Sequence, residues 1–342
     1  MTARAFICSI AGTILTPAER AFLRESEPWG LIVFKRNIET PEQVARLTAS
    51  FREAVGREAP VLVDQEGGRV QRLGPPHWPA YPPGAAYGEL YDFDPAVGTK
   101  AAHLGARLIA ADLAAVGIDV DCLPLADVPV PGANAVIGDR AYGTSADKVA
   151  RIARAVADGL LAGGVLPVLK HIPGHGRPTL DSHSALPVVE TDGATLEATD
   201  FAAFRPLGDL PLGMTAHVVY TAIDALAPAT TSVTLVRDVI RGWLSFRGLL
   251  MSDDISMGAL SGSIEQRSRA AIAAGCDLVL YCSGALAEMR ALAEAVPALA
   301  GEAATRADAA LARRRVSDDD VAAVRAEWTA LMGAAAARQR AS

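Results

Sequence analysis

Eight short apolar runs, each followed by a stretch with helical spacing, constrain this chain more than any other feature of its sequence. The runs are AFICSIAG (5–12), GLIVF (30–34), PVLVDQ (60–65), IDVDCLPLAD (118–127), VLPVLKH (165–171), LGMTAHV (212–218), GLLMSDD (248–254) and CDLVLYC (276–282). Runs that are apolar throughout, and not alternately, belong to strands buried on both faces, which is the condition of a parallel sheet covered by helices. Helical spacing follows at 17–26, 41–55, 101–117, 147–164, 195–204, 235–244, 264–275 and 285–296. Thr16, Thr40 and Ser263 stand at N-cap positions, each with Glu or Gln three residues on, so three of these helices should open with a capping box. Eight β/α units predict a closed (β/α)8 TIM-type barrel; an open doubly wound sheet would not need eight.

The 342 residues show no linker or composition shift, so the expectation is one catalytic domain over 1–342, with an extra C-terminal helix outside the barrel. The proline-rich stretch 74–95 reads as a long surface loop within the third β/α connection. Basic residues number 32 against 39 acidic ones, a net charge of −7, and they form no stripe, which argues against a nucleic-acid partner. No apolar run approaches the ~20 residues that span a bilayer, so no membrane association is expected. Cys8, Cys122, Cys276 and Cys282 lack the close pairing of a zinc site and read as reduced, buried thiols. Arg4 precedes an apolar run as in an export signal, but no small-x-small cleavage site follows, and the expected location is the cytoplasm.

In such a barrel the chemistry lies where the strands end at their carboxyl side. Asp64 and Glu66 follow the third run, Asp127 and Arg140 the fourth, Lys170 and His171 end the fifth, His217 the sixth, and Asp253 with Asp254 the seventh. In VLVDQEGGRVQR (61–72) a strand delivers Asp64 to a tight turn at two glycines, bringing Arg69 and Arg72 to the same mouth. A carboxylate beside a guanidinium grips sugar hydroxyls; the plainer alternative is an ion pair that fixes the loop. In KHIPGHGRPTLDSH (170–183), Lys170 and His171 should be anchored by the barrel. The remainder should move on its glycines, Gly174 and Gly176 among them. Asp181 and His183 are two apart, so in an extended segment the carboxylate can orient the imidazole and leave one ring nitrogen to exchange protons. An Asx-type turn with an exposed histidine is equally compatible. Asp253 and Asp254 point to opposite sides of a strand, so one of them faces a substrate, and spacing does not choose between them.

At these residues the chain resembles the family-3 glycoside hydrolases, within them the bacterial β-N-acetylglucosaminidases of peptidoglycan recycling. DQEGGRVQR, IGDRAYG, KHIPGHGRPTLDSH, AHVVY and SDDISM occur in the family's order. Departures are mild: Ile172 replaces a usual phenylalanine and Asp139 a usual glutamate. The resemblance implies a retaining hydrolase with Asp253 as nucleophile and the Asp181/His183 dyad as general acid/base. It also implies that Asp64, Arg72, Arg140, Lys170 and His171 hold the terminal N-acetylglucosamine, with His217 lining the site. The implied substrates are N-acetylglucosaminyl-1,6-anhydro-N-acetylmuramic acid and its peptide-bearing forms, handled by a monomer without metal or other cofactor. Three rivals stay open: a zinc hydrolase built on His171, His175, His183, His217 and Asp253, a non-catalytic amino-sugar sensor, and a glycoside phosphorylase of the same family.

Overall fold

The computed structural model describes residues 3–182, 185–315 and 320–339. Eight parallel strands close into a barrel in simple chain order: β1 Arg4–Cys8, β2 Pro28–Val33, β3 Val61–Val63, β4 Val120–Asp121, β5 Leu166–Ile172, β6 Leu212–Thr215, β7 Leu249–Asp254 and β8 Leu278–Leu280. β8 pairs back onto β1 through Phe6 with Val279 and Ile7 with Leu280, which removes both sheet edges. Every residue of β2 and β5 is buried, as the unbroken apolar runs require.

The helices α1 Pro17–Ser26, α2 Pro41–Val55, α3 Gly84–Phe93, α4 Pro95–Ala114, α5 Ala146–Ala162, α6 Gly193–Ala198, α7 Ile264–Ala274 and α8 Leu286–Ala295 surround the strands. The capping boxes of α1 and α7 form. In α2 only half of one does: Thr40 accepts from the Gln43 amide, but Gln43 turns its oxygen to Glu39 N–H and its amide to the carbonyls of Thr13 and Asn37. Residues 235–243, expected to be an ordinary helix, wind as a wider π-helical stretch. Two helices follow the barrel instead of one, α9 Gly301–Leu311 and α10 Val321–Gln339, and α10 packs on α4.

The stretch 74–95 is not the surface loop its prolines suggest. Its second half is α3, with Tyr87 and Leu90 buried. Gly84 and Gly88 lie one turn apart on the face toward residues 140–142, where a Cβ would come within 2.1 Å of the Arg140 carbonyl oxygen and 2.0 Å of the Tyr142 carbonyl oxygen. The absent side chains thus let a helix press directly on the loop that carries Arg140. Tyr81 closes the preceding turn, its hydroxyl donating to Asp112 at 2.6 Å and its ring meeting Trp328 of α10 edge-on. Among the described residues, no helix is long and apolar enough to cross a membrane.

Candidate active site

Charged side chains converge where β3, β4, β5 and β7 end. Lys170, on β5 and 2% exposed, reaches two carboxylates: Asp64 at 3.1 Å and Glu66 at 2.6 Å. Arg72 closes on Asp64 at 2.9 Å, and Arg140 grips Glu66 with two parallel N–H···O bonds of 2.9 and 2.8 Å. The circuit runs Arg72, Asp64, Lys170, Glu66, Arg140: three cations against two carboxylates, 3 − 2 = +1. Burial alone would raise both acids. Lys170 and the two guanidiniums outweigh it, holding Asp64 well below the usual range and Glu66 at about 2. Asp64 and Arg72 keep 16% and 28% of their side chains exposed, so they are the most accessible part of the circuit.

Glu66 carries more of this arrangement than its sequence position suggested, since it fixes Arg140 and half of Lys170. Glu66→Gln leaves those cations underneutralised and should destabilise the fold by about 3–5 kcal/mol. Because Glu66 is depressed in the folded state, its contribution is complete above its ordinary value of 4.5 and is lost as pH falls through about 2. Urea denaturation should therefore give one constant stability gap between wild type and variant from pH 6 to 8, narrowing only in acid; a gap that closes already between pH 8 and 6 contradicts this.

His171 is oriented from behind. The fully buried Asp127 accepts from its Nδ1–H at 2.7 Å and from its backbone N–H at 3.3 Å. Burial opposes the Asp127 charge, but His171 and His175 hold its carboxyl below the ordinary value, so it accepts and does not donate. Nδ1 of His171 is thereby committed to Asp127, and Nε2 is the ring nitrogen left to face the mouth.

His217 behaves otherwise. It is fully buried, and its Nε2 lies 3.0 Å from the Asp254 carbonyl oxygen while Nδ1 lies 2.7 Å from Thr230 Oγ1. A carbonyl only accepts, so Nε2 carries the proton and Nδ1 accepts from the Thr230 hydroxyl. Burial lowers its pKa. With both nitrogens engaged, His217 braces the end of β7 from below and has none left for a sugar, unlike the contact expected of it.

At that strand end the two aspartates part company. Asp254 accepts from the Ser256 N–H at 3.0 Å, the Ser256 hydroxyl at 2.6 Å and the Cys282 N–H at 3.1 Å, and burial raises its pKa. Asp253 accepts the Asp254 N–H at 2.7 Å. Its burial would raise it too, but His217, His171, that N–H and Lys170 together hold it below the ordinary carboxylate value. Asp254 is therefore occupied as a loop anchor, and Asp253 is the carboxylate of the pair that is held below its ordinary value and left with a single hydrogen bond among the described residues.

The segment after β5 was expected to move on its glycines, but its first part is built in. A Cβ on Gly176 would meet the Val128 carbonyl oxygen at 2.0 Å, Arg177 holds Asp200 through Nε and Nη2, and Val130 N–H donates to the Gly176 carbonyl. Gly176 is therefore a packing requirement, and valine there would disturb folding before it stiffened any loop. Asp181 lies beyond this fixed part, and the predicted proton carrier His183 lies outside the described residues.

The chain as a whole is similar to known enzymes. Residues 15–317 match the model of the glycosyl hydrolase family 3 N-terminal domain. The chain belongs to glycoside hydrolase family 3. A beta-hexosaminidase of Alkalilimnicola ehrlichii is 42% identical over 282 residues, covering 80% of this chain and 79% of that protein. One of Bordetella avium is 38% identical over 278 residues, with 80% and 79% covered. The crystal structure of NagZ from Neisseria gonorrhoeae in complex with N-trifluoroacetyl-D-glucosamine superposes with a TM-score of 0.85 at 31% identity, covering 98% of each chain. This family-3 member is thus a glycoside hydrolase of the β-hexosaminidase type, on the same closed eight-stranded barrel.

Proposed function

We propose that this chain is a retaining exo-β-N-acetylglucosaminidase that removes terminal N-acetylglucosamine from peptidoglycan fragments, with Asp253 as nucleophile and the Asp181/His183 dyad as general acid/base. The observation that carries the reading is the division of labour at the end of β7: Asp254 is consumed by Ser256 and Cys282, and Asp253 stays ionised beside His171 and Lys170. In the first step an Asp253 oxygen bonds to the anomeric carbon as the bond to the leaving oxygen breaks, and His183 gives that oxygen its proton. In the second, His183 removes a proton from water, the water oxygen bonds to the anomeric carbon, and Asp253 leaves as a carboxylate. A histidine on a loop need not keep the ~5–5.5 Å separation usual for two fixed carboxylates.

Asp64, Arg72, Lys170 and His171 Nε2 would hold the sugar directly; Arg140 acts through Glu66 and its own remaining N–H groups, and His217 acts through the β7 backbone. The likeness to the gonococcal enzyme, solved with an N-acylated glucosamine, supports the amino-sugar class. Four unpaired cysteines suit a reducing compartment, in keeping with imported wall fragments as substrate in the cytoplasm.

The deciding assay compares p-nitrophenyl N-acetyl-β-D-glucosaminide with the β-D-glucoside, with chelator present and in phosphate buffer. Expected is at least ~100-fold higher kcat/KM for the N-acetyl sugar, with free N-acetylglucosamine as product. Equal rates would refute the amino-sugar reading, loss of activity in chelator would point to the zinc site, and a sugar 1-phosphate would make the enzyme a phosphorylase.

A further inference from the structure

His175 is a buried histidine that the mechanism above does not use. Its backbone N–H donates to Asp127 Oδ1 at 2.6 Å, its ring stands edge-on against His171 with centroids 5.7 Å apart, and its Nε2 lies 3.0 Å from Ser182 Oγ. Among the described residues, Nδ1 is buried without a hydrogen-bond partner. A proton there would bury an N–H with no acceptor among them, so this geometry favours the tautomer with the proton on Nε2, donating to Ser182.

Ser182 immediately precedes His183, and its carbonyl accepts from the Ala259 N–H at 3.2 Å, a residue of the loop that follows β7. Further back, the Asn134 N–H donates to the Pro178 carbonyl at 2.8 Å and the Asn134 side-chain amide to the Thr179 carbonyl at 3.3 Å. Backbone contacts of this kind hold a segment near the barrel whatever its side chains are. The bond between His175 and Ser182 differs, because it depends on two particular side chains. It also shares Asp127 with His171, the ring proposed to face the sugar.

We infer that His175 is a positioning residue for the acid/base segment: its ring holds Ser182, the residue between Asp181 and His183 in sequence, while its backbone N–H rests on the same aspartate that orients the sugar-facing His171. The inference rests on the assignment of Asp181/His183 as the acid/base pair. Asp127 thereby serves both halves of the reaction, setting the ring that meets the sugar and, through the His175 backbone N–H, anchoring the residue whose ring holds Ser182.

Ser182→Ala removes the acceptor with little change in volume. If the latch positions the acid, kcat/KM for a phenyl N-acetylglucosaminide, whose leaving group needs a proton, should fall about tenfold. The 2,4-dinitrophenyl glycoside, which departs without one, should stay within about twofold of wild type, as should competitive inhibition by N-acetylglucosamine. Ser182→Thr, which keeps the hydroxyl, should recover the phenyl substrate. His175→Leu, which keeps the backbone N–H to Asp127 but has no donor for Ser182, combined with Ser182→Ala should be no worse than the poorer single variant, because both remove one bond. Equal losses on both substrates would reduce His175 and Ser182 to a structural role, and no loss on either would remove the latch. His183→Ala run alongside separates the two levels. If it lacks the leaving-group dependence, the acid/base assignment falls and the latch with it; if it shows the dependence and Ser182→Ala does not, the latch alone falls.

Discussion

Asp253→Ala is expected to lower hydrolysis of aryl N-acetylglucosaminides by on the order of 10⁴-fold or more while leaving the fold intact. The size follows from the role: without the carboxylate no glycosyl-enzyme forms, and the remaining contacts can only bind. The fold should survive because, among the described residues, the side chain of Asp253 accepts just the N–H of its neighbour, whereas Asp254 ties Ser256 and Cys282 together. The measurement that assigns the role is the product formed in sodium azide. With the carboxylate gone, azide enters from the face it occupied and displaces the activated leaving group of the dinitrophenyl glycoside in one inverting step, giving the α-glycosyl azide. Asp254→Ala gives the converse pattern: lower stability, by about 1–3 kcal/mol for the groups left unpaired, and no azide product. An α-azide from the Asp254 variant and not from the Asp253 variant would exchange the two assignments.

The barrel was legible because its signal is local and repeated. Each strand is a run buried on both faces, each helix has a period, and Thr16 and Ser263 form the boxes their neighbours predict. α3 was not legible for the opposite reason: Gly84 and Gly88 are poor helix formers, and only the carbonyls of Arg140 and Tyr142, some fifty residues away, make them the residues that fit. The same distance separates the site residues that sequence placed well from those it did not. A strand end shows where Asp64, Lys170, His171 and Asp253 must be. It does not show which partner each will have.

Glu66 earned no role from its neighbours in sequence because its guanidinium comes from 74 residues later, and Asp127 could not be matched to a histidine 44 residues on. His217 stands at a strand end as a ligand contact should, yet Thr230 and the Asp254 carbonyl consume both its nitrogens. Burial and hydrogen-bond completion are properties of the closed barrel, and the chain order does not encode them in any one motif. The glycines of 174–176 illustrate the same limit: they look like hinges, but Gly176 is glycine because Val128 leaves no room for a Cβ.

His183→Ala should produce a loss that depends on the leaving group, and this sets it apart from every binding residue in the site. For a phenyl glycoside kcat/KM should drop about 10²–10³-fold, the usual contribution of a general acid, while for the 2,4-dinitrophenyl glycoside it should barely change. The alkaline limb of the wild-type profile should vanish in the variant. The acid form of His183 is the active one in glycosylation, so wild-type kcat/KM falls as pH rises through the imidazole range, and a variant without the imidazole has nothing there to titrate. Azide again identifies the step, with the opposite stereochemistry. Here Asp253 is intact, the α-linked glycosyl-enzyme forms from the activated substrate, and azide, which needs no base, resolves it from the other face to the β-glycosyl azide with restored turnover. An α-azide from one variant and a β-azide from the other can arise only if Asp253 and His183 act on opposite faces of the anomeric carbon, in the order nucleophile first and base second. A uniform loss on both aryl glycosides, with no azide product, would instead make His183 a binding residue and leave the proton to be supplied from elsewhere in the mouth.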